Sequence, residues 1–182
     1  EAAEAKEKGE GVVRWKSSTD KEEMTEYCKE LVRRLEPILE ERVLSKQFLS
    51  AWRFKVPVQV PWLDGSPTWI YINGEMDLLT YDDISGYEVL DLKATRDPDY
   101  WRKTVGQLVF YDISIEAMFE QNTSHAYLIQ PMVDSDPVLP FVISDEARAE
   151  MWARIHRMTT DLWLKDYRPK EDTVGCSWCE VK

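Results

Sequence analysis

The sequence predicts an α/β (α+β) domain built on a central mixed β-sheet flanked by helices. Three observations carry that expectation. Helical spacing of apolar residues occupies an amino-terminal, a central and a carboxyl-terminal segment, strand alternation fills the stretches between them, and turn-forming clusters separate the two patterns. The chain has 182 residues, 43% of them hydrophobic, which suffices for one domain with a sizeable core.

Residues 1–18 read as a polar tail, 19–175 as the domain, and 176–182 as the remnant of a Cys-containing segment. Glu1 to Glu10 lack the apolar core of a signal peptide. A start at Glu1 instead of Met is expected of a fragment or a processed form. From Thr19 to Leu49 the pattern is helical, with Met24, Tyr27, Cys28, Leu31, Leu35, Ile38 and Leu39 at three- and four-residue spacing, and Pro37 is expected to kink or divide this helix. Trp52 to Val60 alternates, placing Trp52, Phe54, Val56, Val58 and Val60 on one face of a half-buried strand. Asp64-Gly65-Ser66-Pro67 is a turn signal, and Trp69 to Ile72 and Met76 to Thr80 read as further strand.

Tyr81 to Gly86 reads as a polar turn and Tyr87 to Ala94 as a strand. Asp99 to Glu120 returns to helical spacing through Trp101, Val105, Leu108, Val109, Ile113 and Met118. Ala126 to Gln130 is a short strand, and Pro131 to Pro140 a Pro/Asp-rich loop. Ser144, followed by Asp145 and Glu146, supplies a hydroxyl cap and acids at the positive end of a last helix. Its apolar stripe is Met151, Trp152, Ile155, Met158, Leu162 and Trp163.

The bulk chemistry excludes some classes. Charges interrupt every apolar run, so no segment has the length of a membrane span. A net charge of −11 argues against tight non-specific binding to nucleic acid. Net charge is a global sum, however, and a binding surface is local. A site for a divalent ion also concentrates carboxylates. Three cysteines, Cys28, Cys176 and Cys179, do not form a secreted disulfide framework and point to a reducing, intracellular (cytoplasmic) setting.

Two predicted strands hold charges out of place. Asp77 interrupts the run from Met76 to Leu79, and Asp91 and Lys93 interrupt the run from Val89 to Ala94. Asp91 and Lys93 share a face, because strand side chains repeat every two residues. A buried lone charge is expensive, so these groups should meet each other or a metal. Mg²⁺ or Mn²⁺ accounts for the set: Asp77, Asp91 and the Leu92 backbone carbonyl offer hard oxygen ligands, and Lys93 can position water or offset phosphate charge. The competing reading is a structural ion pair with a third charge nearby.

The order Gly74-x-x-Asp77, then Asp91-x-Lys93 fourteen residues after Asp77, then Gln107-x-x-x-Tyr111 resembles the PD-(D/E)XK nuclease superfamily, and its last motif resembles the RecB-like branch. Met76 stands where the family's name has Pro, and the second acid is Asp91 where that branch more often has Glu. The resemblance implies a restriction-endonuclease-like core and catalytic roles for Asp77, Asp91, Lys93, Gln107 and Tyr111. It also implies a further metal ligand from the first helix, for which Glu40 is the candidate and Glu36 and Glu41 compete. In that branch a Cys-x-x-Cys joins other cysteines around a [4Fe–4S] cluster. Cys176 and Cys179 would be two members of an incomplete set, with both ends of the chain trimmed, whereas Cys28 reads as a core thiol. Arg96, Arg102 and Lys103 follow the second acidic strand and could touch phosphate, and Trp101 could stack on a base, with core packing the rival role. His125 and His156 read as structural or surface residues.

The activity implied is that of a Mg²⁺- or Mn²⁺-dependent deoxyribonuclease. It would be an exonuclease acting on DNA that is single-stranded or has free ends, in phage or prokaryotic processing, replication or recombination. The alternative is a nuclease-fold module that binds DNA or protein with weak or lost catalysis. A third, weaker idea is a ribonuclease or structure-specific endonuclease on the same fold.

Overall fold

The structure is a computed structural model that describes residues 18–123 and 125–164. Cys176, Cys179 and most of the polar tail lie outside the described residues. The elements are helix α1 (Ser18–Val43), strands β1 (Gln47–Pro61), β2 (Pro67–Asp82) and β3 (Gly86–Leu92), helix α2 (Trp101–Phe119), strands β4 (His125–Ile129) and β5 (Val138–Phe141), and helix α3 (Asp145–Leu164). The strands form one sheet in the order β1-β2-β3-β4-β5. All neighbours are antiparallel except β3 and β4, which run parallel. A parallel pair needs a crossover, and α2 supplies it.

The alternating pattern of β1 becomes burial of Phe54, Val56, Val58 and Val60. Its hairpin with β2 is closed by Gly65 at φ +82°, by Asp64 Oδ1 accepting the Ser66 N–H at 2.9 Å, and by Trp62 N–H donating to Ser66 O at 2.6 Å. The β2–β3 turn repeats the device: Asp82 Oδ1 accepts the N–H groups of Ile84 and Ser85, and Gly86 has φ +72°. Gly74 faces Phe54 across the hairpin, and a Cβ there would lie 2.8 Å from the Phe54 ring. Pro57 and Pro140 fall in β1 and β5, the two edge strands, where a missing N–H leaves no ladder partner wanting.

Two apolar layers cover the sheet. On one face α2 and α3 bury Leu79, Val89 and Ala126 together with Leu108, Ile113, Ile115 and Ile155. On the other face α1 presents Leu35, Ile38, Leu39 and Val43 to Leu78, Leu90, Tyr127 and Ile129. A buried polar knot joins α2 to α3. Asp112 Oδ2 accepts from Arg148 Nε at 2.6 Å, while Oδ1 accepts from the Thr123 N–H at 2.9 Å. Ser144 Oγ accepts the Ala147 N–H at 3.2 Å, which makes it the hydroxyl cap of α3.

Several boundaries differ from expectation. The first helix ends at Val43 instead of Leu49, and Phe48 and Leu49 pair with Thr80 and Leu79 as the start of β1. Apolar residues at that junction suit either period, and sheet pairing decides. Pro37 does not divide α1, which runs through it as one element. The expected loop 131–140 contains the start of β5, a strand of four residues paired along β4. Cys28 is exposed, not a core thiol, because the inward stripe of α1 runs through Leu35, Ile38 and Leu39.

Candidate active site

The β2–β3 ladder runs from Asp82↔Gly86 to Leu78↔Leu90 and ends there, one step short of Asp77 and Asp91. Beyond it a side chain replaces backbone pairing: Asp77 Oδ2 accepts the Leu92 N–H at 2.8 Å. The contact recorded for the Leu92 backbone is therefore its N–H. On the other side, Lys93 N–H donates to Ile129 O of β4 at 2.9 Å, which keeps β3 extended past Leu92. That extension holds Asp91 and Lys93 on one face, and Lys93 Nζ lies 2.9 Å from the Asp91 carboxylate.

A switch of face in β2 brings Asp77 to the same side. Ile72 and Met76 belong to the layer under α2 and α3, and so does Leu79, whereas Leu78 lies on the α1 side. The two-residue alternation therefore slips by one between Met76 and Leu79. The β1–β2 ladder skips one pair at this level, Ala51 opposite Asp77. Ala51 has φ +48°, a left-handed conformation costing an L-residue about 1–2 kcal/mol. No feature of the sequence marks Ala51.

Helix α2 closes the site. Tyr111 Oη donates to the Glu75 carbonyl at 2.6 Å and accepts from Gln107 Nε2 at 2.5 Å. The four-residue spacing of Gln107 and Tyr111 thus becomes a two-bond chain that pins α2 to β2, two residues before Asp77.

Asp91 is 0% exposed, and its two oxygens share one ammonium: Lys93 Nζ donates to Oδ1 at 2.9 Å and lies 2.9 Å from Oδ2, which accepts no hydrogen bond of its own. Burial pushes its carboxyl up to about 6; the nearby Asp77 carboxylate adds to the rise and Lys93 opposes it. For Lys93, burial pulls the ammonium down, but the Asp91 and Asp77 carboxylates outweigh it and the net shift is upward, so Lys93 is a cation at neutral pH. Burial also raises the Tyr111 phenol.

Asp112 provides an internal control. It too is a 0% exposed acid in an apolar run, a signal the sequence offers as openly as Asp77, yet both of its oxygens are satisfied. Asp112 reads as structure, with separate donors on its two oxygens, whereas both Asp91 oxygens lean on the single Lys93 ammonium. Two neighbouring carboxylates, one fully buried and with its pKa raised by burial and by the other, with a single lysine beside them, fit a hard divalent cation that takes one or two carboxylates and fills its remaining positions with water and phosphate.

The other expected residues lie apart from this pair. Glu36, Glu40 and Glu41 are exposed on α1, which packs its apolar stripe against the opposite face of the sheet. No group of three or more His, Cys, Asp or Glu side chains suited to a metal occurs among the described residues. The Arg96 guanidinium sits over the Tyr27 ring of α1 at 5.4 Å. Arg102 and Lys103 are exposed at the start of α2, with Arg102 3.4 Å from Asp99 and Lys103 4.0 Å from Asp97. Trp101 is half-buried, 6.3 Å from the Phe141 ring centre. His125 lies 3.7 Å from Glu88, and the His156 ring is 6.2 Å from that of Trp152.

A family model for the PD-(D/E)XK nuclease superfamily matches residues 2–182. The chain belongs to the PD-(D/E)XK nuclease superfamily. The mixed five-stranded sheet with flanking helices is the fold expected of such a nuclease. Among solved structures, the crystal structure of SSO0001 aligns with a TM-score of 0.46 and 14% identity, covering 85% of this chain and 64% of that one. The nuclease chain thus spans less than two thirds of the length of that protein. No curated protein matches. Among the described residues no helix is long and apolar enough to cross a membrane.

Proposed function

We propose that this nuclease is a Mg²⁺- or Mn²⁺-dependent deoxyribonuclease of the RecB-like branch, hydrolysing phosphodiester bonds as an exonuclease at DNA ends. The observation that carries the reading is the fully buried Asp91 carboxylate, on the same side of the sheet as Asp77 and with both oxygens 2.9 Å from the Lys93 ammonium. Asp77 and Asp91 would hold the ion. When bound, a divalent ion supplies Lewis acidity at the phosphoryl oxygen and makes water a stronger nucleophile. The chain's own groups prepare the rest. The Leu92 N–H fixes the rotamer of Asp77. Lys93 keeps a positive charge 2.9 Å from Asp91, where it can offset charge growing on the phosphate. Gln107 and Tyr111 hold α2 against β2 and border the place where substrate would lie.

The branch assignment rests on Gln107-x-x-x-Tyr111 following Asp91-x-Lys93, and on the contact those two side chains make. The three cysteines of the sequence fall short of the four thiolates of a [4Fe–4S] site, so no cluster chemistry is assigned to this chain. End-labelled single- and double-stranded DNA, and RNA of the same sequence, incubated with Mn²⁺ or with chelator, test the proposal. Mononucleotide release from one end of DNA supports it. Internal cuts alone would replace the exonuclease with an endonuclease, and preference for RNA would replace the substrate. The net charge of −11 favours a second reading, a binding module with lost catalysis. Calorimetric titration decides, because that module would bind neither Mg²⁺ nor Mn²⁺.

A further inference from the structure

A groove of about 590 Å³ runs along α2 between β2 and α3 and reaches Gln107 at the catalytic end. Its lining includes three cations, Arg102, Lys103 and Arg154, and no Asp or Glu. The chain as a whole carries 34 acids against 23 Lys and Arg, so a wall with cations alone runs against the composition. Arg102 and Lys103 pair with exposed carboxylates at 3.4 and 4.0 Å, pairs that release readily, and lie over the Trp101 and Tyr100 rings at 4.5 and 5.3 Å. The ion pairs of α3 belong to Arg148, and Arg154 has no ion-pair partner among the described residues. Arg154 lies over Gly106, where a Cβ would stand 3.7 Å from its Nη1, so the missing side chain gives the guanidinium room along the groove.

The remaining surface is apolar and partly aromatic. Tyr71 and Met158 are 61% and 64% exposed, with Lys55 Nζ 4.6 Å from the Tyr71 ring centre, and Phe110 is half-buried in the same lining as Gln107. Cations that follow a backbone, interleaved with flat apolar surface, suit a strand whose bases are unpaired. A duplex offers phosphates and groove edges but hides its base faces.

We infer that this groove binds single-stranded nucleic acid, with Arg102, Lys103 and Arg154 on phosphates and Tyr71 and Phe110 against base faces. The inference rests on the catalytic reading for its direction, since the strand would enter the metal site past Gln107. It also explains how an acidic chain engages a polyanion: the favourable charge is confined to one wall.

Fluorescence anisotropy with a 5′-labelled oligothymidylate and a labelled blunt duplex of equal length, both in EDTA, tests the groove without any cleavage. Single-strand binding at least tenfold tighter than duplex binding is expected. Arg154→Gln should flatten the plot of log affinity against log salt by about 0.7. Tyr71→Ala should weaken single-strand binding about fivefold or more, the lower end of base stacking on an aromatic side chain. Both residues are exposed, and unchanged circular dichroism would confirm folding. Equal or tighter duplex binding overturns the assignment, as does an unchanged salt slope in Arg154→Gln. Self-association abolished by Met158→Asp, with oligonucleotide affinity unaltered, overturns it in favour of a contact between two copies. The two readings fail separately. DNA cleavage with Mn²⁺ alongside unaffected binding in the groove variants removes the groove alone. Groove-dependent binding without cleavage removes the catalytic reading and keeps the groove.

Discussion

Replacing Asp91 by Asn should stabilise the metal-free protein while removing its activity. Asp91 is fully buried, and its carboxyl is pushed from 3.8 up to about 6 by burial, with Asp77 adding to the rise and Lys93 opposing it. The folded chain therefore holds this proton more tightly than the unfolded chain. Below 3.8 both states are protonated and the group has no effect on stability. Between 3.8 and 6 the folded state keeps a proton that unfolding releases, so stability falls as pH rises. Above 6 the folded state carries an ionised buried carboxylate and the full penalty persists, about 3 kcal/mol at roughly 1.4 kcal/mol per pH unit. Asn mimics the neutral acid and removes that penalty, but Lys93 then loses an ion-pair partner, which leaves a net gain of about 1–2 kcal/mol. For a chain of this size that is a rise of roughly 2–8 °C in Tm. Thermal unfolding followed by circular dichroism in EDTA, at several pH values from 4 to 8, measures it. The gain should vanish toward pH 4, and added Mn²⁺ should raise the Tm of wild type but not of Asp91→Asn. A variant no more stable than wild type at pH 7.5, or a difference independent of pH, refutes the reasoning.

Three further outcomes follow from the geometry. Ala51→Gly should melt within about 0.5 kcal/mol of wild type and retain cleavage, whereas Ala51→Val should lose more than about 1 kcal/mol and lower kcat, because a β-branched residue resists the left-handed region; equal tolerance of both would show that the switch of face does not depend on Ala51. Arg148→Met strands the buried Asp112 carboxylate and should destabilise by about 3 kcal/mol in urea unfolding without altering Mn²⁺ affinity, and a change in metal affinity would contradict a purely structural role for that pair. Tyr111→Phe removes the bond to the Glu75 carbonyl and the acceptor for Gln107, and should cost about 0.5–1.5 kcal/mol together with kcat; normal stability and rate would dissociate the Gln107–Tyr111 chain from the site.

The sequence displays the strands of this sheet more clearly than their limits. Alternation through Trp52, Phe54, Val56, Val58 and Val60 reports a one-sided strand directly, and the structure buries the last four of these. The Val43–Gln47 boundary is invisible, because Phe48 and Leu49 continue a helical pattern and a strand pattern equally well until Thr80 and Leu79 pair with them. Strand β5 is too short to show a period and carries Pro140, tolerated because it lies on an edge. At the site, Asp77, Asp91 and Lys93 stand out as charges in apolar runs, but so does Asp112, and only the contacts separate an acid with its own donor on each oxygen from one whose two oxygens share a single lysine beside a second carboxylate. Glu40 illustrates the opposite limit. Its distance along the chain suggests a ligand, while the apolar stripe of α1 carries it to the far face of the sheet. The cations of the groove come from α2 and α3 together, so the acidic total of the sequence conceals them.

The central claim is that Asp77 and Asp91 form a divalent-metal site for phosphodiester hydrolysis. Its most direct test is cleavage of end-labelled DNA by wild type and Asp91→Ala side by side, with Mn²⁺ and with EDTA. The account predicts cleavage by wild type with Mn²⁺, none in EDTA, and a loss of at least about a thousandfold in Asp91→Ala, the scale on which an essential charge-stabilising group acts. Cleavage that survives EDTA, or full activity in Asp91→Ala, would contradict it.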